Sequence, residues 1–203
     1  MSLSISDSNA ETPERARQRA SGRRMALVLF LVSAAPIVAA IIAFFFWTPS
    51  GRVNYGELLT PRKPPDVALA RLDGQTFSLA NLKGKWVLVT ASGGTCDAIC
   101  AKNLLVIRQV RLMQGREMER VERVWLLNDA HSPSKDLLAA HDGLHVARAT
   151  QAQLDSIFQA GSMEQNVWLI DPLGNIMLRF PPDPDPKGMR NDLTRLLKVS
   201  RAG

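Results

Sequence analysis

The chain has 203 residues, of which 46% are apolar and 22% charged, a balance typical of a folded protein rather than a disordered one. Its length allows one domain with an appendage. Two cysteines are too few for a multi-disulfide scaffold or a cysteine-rich zinc site. Part of the net charge of +6 lies in five arginines just before a long apolar run, so the charge does not indicate a nucleic-acid-binding surface.

The apolar run at residues 25–47 predicts a single transmembrane helix. It carries no charged residue, and a hydrocarbon core of about 30 Å needs about 20 helical residues. Pro36 is tolerable within such a helix, and Trp47 suits the aromatic belt at the membrane interface. A cleaved signal peptide is the alternative, although its apolar core would be shorter, about 7–15 residues.

The flanks of this run predict its orientation. The five arginines in residues 1–24 predict a cytoplasmic tail under the positive-inside rule. The chain is therefore expected in the inner (cytoplasmic) membrane, with its C-terminal part in the periplasm or another extracytoplasmic space. Residues 48–65 are rich in proline and glycine and predict a linker. Residues 66–203 remain, which suits a single domain.

Strand and helix signals alternate in this outer domain. Residues 67–72 and 76–79 flank Asp73-Gly74, a strong hairpin signal. Further strands are predicted at 86–91, 121–127, 145–149, 167–170 and 176–180, and helices at 98–113, 133–140 (with Ser132 as N-cap), 151–160 (with Thr150 as N-cap) and 187–199. Strands separated by helices form a parallel section, and the last two strands form a hairpin. We therefore expect an α/β fold, a mixed sheet with helices on both faces.

The cysteines, Cys96 and Cys100, lie in the sequence GGTCDAIC between a buried strand and the next helix. Four residues apart on a helix, they would share a face with Cα atoms about 6.2 Å apart, within reach of a disulfide. The helix N-terminus favours the thiolate form of Cys96. Such a pair can exchange disulfides or bind a soft metal such as Cu(I), and a structural disulfide is the plainer alternative.

Three further motifs accompany this turn: the hairpin at residues 67–79, the strand KGKWVLV at residues 83–89 and the hairpin LIDPLG at residues 169–174. Together with C-x3-C they resemble the Sco/SenC family, membrane-anchored proteins that help load copper into cytochrome c oxidase. The resemblance covers roughly residues 64–203. It implies a thioredoxin-like three-layer sandwich with an N-terminal β-hairpin extension, and it implies that Cys96 and Cys100 hold copper or exchange disulfides.

The sequence departs from the family pattern at two places. Cys100 is followed by Ala101, where the family usually has proline. The family's third copper ligand is a histidine, and the matching position here is Met163. A thioether is a soft donor that suits Cu(I), whereas Cu(II) prefers imidazole. Methionine is also an ordinary core residue.

The resemblance implies an assembly factor or metallochaperone rather than an enzyme, whose partner is a cytochrome c oxidase subunit or another exported thiol protein. Two alternatives stay open. One is an extracytoplasmic thiol–disulfide oxidoreductase, although the usual C-x2-C spacing is absent. The other is a non-catalytic tethered domain that has lost its metal site.

A few other residues are weaker candidates. His131 follows a strand near the edge where α/β sheets bind ligands and could approach the cysteines. His141 and His145 bracket a turn, so both are predicted to lie at the surface. Asp97 could tune the cysteines or simply favour the first turn of a helix. The charges of mixed sign from the helix after Cys100 onwards predict a solvated surface, or else a docking surface for an acidic partner or for anionic headgroups; they are Lys102, Arg108, Arg111, Arg116, Glu117, Glu119, Arg120, Glu122 and Arg123.

Overall fold

The computed structural model describes residues 13–46, 54–158 and 165–200. The chain divides into two units, Met1–Gly51 and Arg52–Gly203. The first unit contains one long helix, α1 (Pro13–Phe46). The second unit contains all of the strands and the remaining helices of the described chain.

Helix α1 has the length and composition needed to cross a membrane. Its stretch Arg23–Phe45 is 23 residues long, has a mean hydropathy of 2.8 and is not buried within the protein. The one hydroxyl in this stretch is satisfied internally, because Ser33 Oγ donates to the Leu29 carbonyl at 2.8 Å. Its length and composition therefore fit the predicted membrane span.

The start of α1 differs from the sequence-based expectation. The helix begins at Pro13, inside the tail predicted for residues 1–24, and continues without a break into the apolar run. The intervening residues are mostly arginine, alanine and glutamine, which are good helix formers, and proline suits the first helical position. Trp47, predicted to lie at the membrane interface, is outside the described residues.

The second unit is built on one mixed sheet, as expected from the sequence. Its strands are β1 (Glu57–Arg62), β2 (Leu69–Arg71), β3 (Thr76–Phe77), β4 (Trp86–Ser92), β5 (Val121–Leu127), β6 (Leu144–Arg148), β7 (Val167–Ile170) and β8 (Ile176–Phe180). In the described chain they lie in the order β1-β8-β7-β4-β5-β6-β2-β3. Strands β4, β5 and β6 are parallel, and the other pairings are antiparallel.

Helices cover both faces of this sheet. They are α2 (Ala98–Leu112), α3 (Lys135–Ala140), α4 (Gln151–Phe158) and α5 (Pro186–Val199). Side chains from α2 and α5 pack with Trp125 in one core, and side chains from α4 pack with Val124 in the other. Because successive residues of a strand point to opposite faces, β5 must be apolar on both sides. This explains the nearly unbroken apolar run that predicts the strand.

The predicted linker at residues 48–65 contains a strand, β1. This strand pairs with β8 at the edge of the sheet, so the folded domain begins before residue 66. The edge of β8 offers free backbone groups, which a neighbouring strand satisfies. Arg179 Nε donates to Glu57 Oε2 at 3.0 Å across this pair, and Arg62 Nη2 donates to the Ile157 carbonyl at 2.6 Å.

The start of α3 is also corrected. Its N-cap is Ser134, whose side chain accepts a hydrogen bond from the Leu137 amide, rather than Ser132. The hydroxyl of Ser132 instead accepts a hydrogen bond from Arg148 Nη2 at 2.8 Å. A long-range contact therefore outweighs the local capping pattern. The predicted end of α4 at residues 160 and 161 lies outside the described residues, whereas its capping by Thr150 is confirmed.

We predict that Asp192 anchors the segment around Gly56, just before β1, to the rest of the domain. This carboxylate on α5 is 3% exposed, and its Oδ2 accepts a hydrogen bond from the Gly56 amide at 2.8 Å. Asp192→Leu leaves that buried amide without a partner, which lowers the free energy of unfolding by about 1–3 kcal/mol. Urea denaturation of the full chain in mild detergent measures the change.

The matched control is Asn191→Leu, an exposed position on the same helix. Its effect should stay within about 0.5 kcal/mol. Equal stability of the two variants would show that this contact does not hold the segment.

Candidate functional site

The two cysteines lie in the connection between β4 and α2. Helix α2 begins at Ala98, and Asp97 is its N-cap, with Asp97 Oδ1 accepting a hydrogen bond from the Cys100 amide at 2.8 Å. Cys96 precedes the cap and has a φ of +49°, in the left-handed region that side chains other than glycine rarely occupy. Asp97 therefore serves as the cap, the plainer of its two predicted roles.

Cys96 and Cys100 form a disulfide, with their Cα atoms 5.1 Å apart. The expectation that both cysteines share a helix face is wrong, because only Cys100 belongs to the helix. The turn before Asp97 brings Cys96 closer than the regular helical spacing of about 6.2 Å would. Cys100 is 2% exposed, whereas Cys96 is partly exposed. An attacking thiol can therefore approach the sulfur of Cys96 more easily than that of Cys100.

Two glycines let the cysteine turn lie against the loop after β5. A Cβ atom on Gly94 would come within 2.2 Å of the His131 carbonyl oxygen, and one on Gly93 within 2.6 Å of Asp129 Oδ2. Side chains at these positions would force the two loops apart. Gly94 is therefore required by a close backbone approach, and Gly93 by its contact with the Asp129 carboxylate.

Asp129 holds the two loops together. Its Oδ1 accepts hydrogen bonds from the Gly94 amide at 2.9 Å and from the His131 amide at 3.1 Å. His131 Nδ1 donates to Asp129 Oδ2 at 3.0 Å. These hydrogen bonds, above all the one from Gly94, lower the pKa of Asp129 below its ordinary value of 3.8. The carboxylate is thus ionised where it supports the turn.

Arg148 fixes the same loop from β6. Its Nη1 donates to the Asp129 carbonyl at 2.8 Å and to the His131 carbonyl at 3.1 Å. The imidazole of His131 is itself occupied by Asp129. His131 therefore lies in the loop beside the cysteine turn, where its described contacts support the loop.

A cavity of about 200 Å³ adjoins the disulfide. It is lined by Cys100 and by polar residues that include Ser92, Asn103, Asn128 and Gln165. Gln165 has a φ of +70° and lies just before β7, the strand next to β4. The turn, the loop after β5 and the segment before β7 thus meet at one end of the sheet.

The other two histidines are not surface turn residues, as their sequence context had suggested. His141 is 7% exposed, and burial lowers its pKa, with further contributions from the charges of Arg123 and Arg108. His145 is on β6, accepts a hydrogen bond from Arg71 Nη2 at 3.1 Å and lies 3.2 Å from Glu122 Oε2. Both histidines therefore belong to the packing of the domain.

Arg123 is likewise not part of a solvated surface. It shares a face of β5 with Val121 and Trp125, so its side chain faces their core and is only 3% exposed. Burial lowers its pKa, and the charge of Arg111 adds to the shift. Its Nη2 donates to the Asp142 carbonyl.

Met163, the predicted third copper ligand, lies outside the described residues. Among the residues that the structure describes, no group of three or more His, Cys, Asp and Glu side chains could hold a metal ion. The described donor set is therefore the pair of sulfurs. Two thiolates released by reduction suit Cu(I), whereas the imidazole that Cu(II) prefers is not part of this pair.

Sequence reasoning missed Asp129, Arg148 and Asn103. Asp129 carried a usable signal, because it directly follows a buried strand whose end meets the end of β4. Arg148 and Asn103 carried none, since a charged residue on a strand and a polar residue in a helix are common. Their contacts with loops distant in sequence give them their place.

These features define a thioredoxin-like protein with a disulfide at the N-terminus of its first sheet-covering helix. Residues 86–200, more than half of the chain, match the family model described as transmembrane-like, thioredoxin-like, C-terminal domain. The chain belongs to this family. No curated protein sequence matches it significantly.

Solved structures of Sco proteins share the fold. Yeast Sco1 with copper bound is 17% identical, with a TM-score of 0.60 over 70% of this chain and 96% of that chain. BsSco, described as having a disulfide switch and as a member of the Sco family of cytochrome c oxidase assembly proteins, is 14% identical, with a TM-score of 0.56 over 74% of this chain and 100% of its own.

A thioredoxin domain of another kind is about equally similar. It comes from a thiol-disulfide oxidoreductase of Bacteroides vulgatus and is 17% identical, with a TM-score of 0.53 over 70% of this chain and 99% of its own. At these identities the likeness concerns the fold. The expected thioredoxin-like α/β fold is therefore confirmed, and the suspected likeness to Sco proteins is confirmed at this level.

We predict that Asp129 makes the stability of the domain depend on pH. Because its pKa is lowered by folding, the ionised carboxylate contributes stability above its unfolded pKa of about 3.8, and this contribution is lost as the pH falls through the lower folded pKa. The stability difference between the wild type and Asp129→Asn should therefore be largest near neutral pH and shrink below about pH 4. Urea denaturation at a series of pH values measures it.

His131→Ala is the control for this prediction. It removes one partner of Asp129 but keeps the Gly94 amide, which is the largest cause of the shift. This variant should retain most of the pH dependence. A difference between wild type and Asp129→Asn that stays constant across the pH series would contradict the assignment.

Proposed function

We propose that this protein is a membrane-anchored, Sco-like assembly factor that acts through the Cys96–Cys100 pair on the copper site of a cytochrome c oxidase. The observation that carries the proposal is a disulfide between a partly exposed and a buried cysteine, placed at the start of α2 in a fold shared with Sco proteins. In this role the pair keeps the oxidase's copper-site thiols reduced or delivers copper to them.

The unequal exposure of the cysteines supports disulfide exchange in one order. A thiolate attacks the Cys96 sulfur, a mixed disulfide forms, and Cys100 leaves as a thiolate that takes a proton from solvent. In the reverse direction, the reduced Cys96 attacks a partner disulfide and Cys100 resolves the intermediate. In the first direction, a second thiolate of the partner attacks the mixed disulfide, forms the partner's own disulfide and releases Cys96 as a thiolate. Two electrons thus pass from the partner to the Cys96–Cys100 pair, and in the reverse direction from the pair to the partner.

Copper delivery uses the same pair in its reduced state. Cys96 and Cys100 would hold Cu(I) as cargo through their two thiolates, with Met163 as an additional thioether donor. The soft character of all three donors favours Cu(I) over Cu(II). A pair of thiols on the partner can then take up the ion by ligand exchange.

The anchor supports the choice of compartment. A single apolar helix at residues 25–47 with arginines before it would hold the domain on the outer side of the inner (cytoplasmic) membrane, in the periplasm. Disulfides persist in such an oxidising space. The copper site of a respiratory oxidase subunit, or another exported thiol protein, is then within reach of the tethered domain.

We predict that Cys100→Ser traps a partner and Cys96→Ser does not. Cys100→Ser leaves the partly exposed cysteine without its resolving partner, so mixed disulfides accumulate. Cys96→Ser leaves only a cysteine that is 2% exposed. Non-reducing electrophoresis of membranes from cells expressing the full chain, followed by mass spectrometry, measures the adducts. Equal trapping by both variants would contradict the proposed order of attack.

We predict that the reduced full chain in detergent binds one Cu(I) ion, with both cysteines required. Titration against a Cu(I)-specific chelator measures the binding. Cys96→Ser and Cys100→Ser should abolish it, and Met163→Leu should weaken it. Asp73→Asn in the β2–β3 turn is a matched surface control that should leave it unchanged. Cu(I) binding that survives the loss of either cysteine would overturn copper delivery by this pair.

A general thiol–disulfide oxidoreductase of exported proteins is the second candidate, favoured by the likeness to the Bacteroides vulgatus domain. The trapped partners distinguish the two functions, because an assembly factor captures an oxidase subunit whereas a general oxidoreductase captures many proteins. A full chain that neither cycles between dithiol and disulfide nor binds Cu(I) is a tethered domain without this chemistry.

A further inference from the structure

The cavity beside the disulfide contains a buried amide that the proposed exchange steps do not use. Asn103 lies three residues after Cys100 on α2, so their side chains share a face of the helix. Both residues line the same cavity of about 200 Å³. Asn103 is 1% exposed, so its polar atoms cannot rely on bulk water.

One end of this amide is anchored and the other is not. Asn103 Nδ2 donates to the Gln165 carbonyl at 3.0 Å, which fixes the orientation of the group. Within the described residues, Asn103 Oδ1 is buried and has no hydrogen-bond partner. A buried acceptor without a donor costs free energy, so any state of the protein that supplies a donor is favoured.

Reduction of the disulfide supplies such a donor. In the oxidised state described here, Cys100 carries no hydrogen on its sulfur. In the reduced state its thiol is a weak hydrogen-bond donor. Within the described residues, none of the other polar groups at the cavity donates a hydrogen bond to Asn103 Oδ1. Asp97 instead caps α2, and the Ser92 hydroxyl accepts a hydrogen bond from Trp125 Nε1 at 2.8 Å.

We propose that Asn103 is a positioning residue that accepts a hydrogen bond from the reduced Cys100 thiol and so favours the dithiol over the disulfide. This inference rests on the redox role proposed above. A reductant dithiol such as dithiothreitol breaks the Cys96–Cys100 bond and gives up two electrons and two protons. Dithiothreitol is thereby oxidised to its own disulfide. One of the two protons ends on the Cys100 sulfur, where it forms the hydrogen bond to Asn103.

The test is the redox equilibrium of the full chain in detergent with dithiothreitol. Asn103→Leu keeps the branched shape of the side chain but lacks the acceptor, so the equilibrium should shift towards the disulfide by about fivefold, which corresponds to about 20 mV for a two-electron couple. Asn103→Ala is a smaller second variant and should shift it in the same direction. Urea denaturation of each variant checks that it is folded.

Thr90→Val is the matched control. Thr90 is also buried, at 1% exposed, and its Oγ1 donates to the carbonyl of Asn166, the neighbour of Gln165. It therefore anchors the same segment but does not line the cavity with Cys100. The redox equilibrium of Thr90→Val with dithiothreitol should differ from that of the wild type by less than about twofold. If Thr90→Val shifts the equilibrium as much as Asn103→Leu, anchoring of the segment explains the effect and the inference is wrong.

An infrared measurement detects the hydrogen bond directly. In Cys96→Ser, Cys100 is the only thiol, and its S–H stretching band should lie at lower frequency than in Cys96→Ser combined with Asn103→Leu. Identical bands, or an unchanged redox equilibrium in Asn103→Leu, would overturn the role of Asn103 while leaving the proposed function intact. A wild-type chain that does not cycle with dithiothreitol at all would overturn both.

Discussion

The close contact between the cysteine turn and the loop after β5 is the constraint on which the site depends. Parallel pairing of β4 with β5 brings the ends of both strands to one edge of the sheet. There the Asp129 carboxylate accepts a hydrogen bond from the Gly94 amide, and the loops are too close for a side chain at position 93 or 94. This contact sets where Cys96 lies relative to α2, and thereby which cysteine is accessible.

The rest of the domain supports that edge. Helices cover both faces of the sheet, so its central strands are largely apolar and their relative positions are set by two cores rather than one. The outer strand β1 pairs with the edge of β8, and Gly56, just before β1, donates a hydrogen bond to Asp192 on α5. The thioredoxin-like domain thus starts about ten residues after the end of α1.

In the proposed function, the same short turn serves two kinds of chemistry. A disulfide with one accessible sulfur suits exchange with a partner, and the two thiolates released by reduction suit a soft cation. Polar groups surround the buried cysteine in the adjoining cavity. In its proposed role, the Asn103 amide, one helical turn from Cys100, contributes to the equilibrium between disulfide and dithiol.

The sequence alone determined the apolar N-terminal helix, the order of strands and helices, and the cysteine pair, because each is a local pattern of hydrophobicity or spacing. Tertiary structure decided the position of Cys96 before the helix cap, the hydrogen bond from Gly94 to Asp129 and the pairing of β1 with β8. These contacts join residues far apart, such as the 35 positions between Gly94 and Asp129 or the 136 between Gly56 and Asp192. Local patterns contain no information about such pairs, since chain folding alone brings them together.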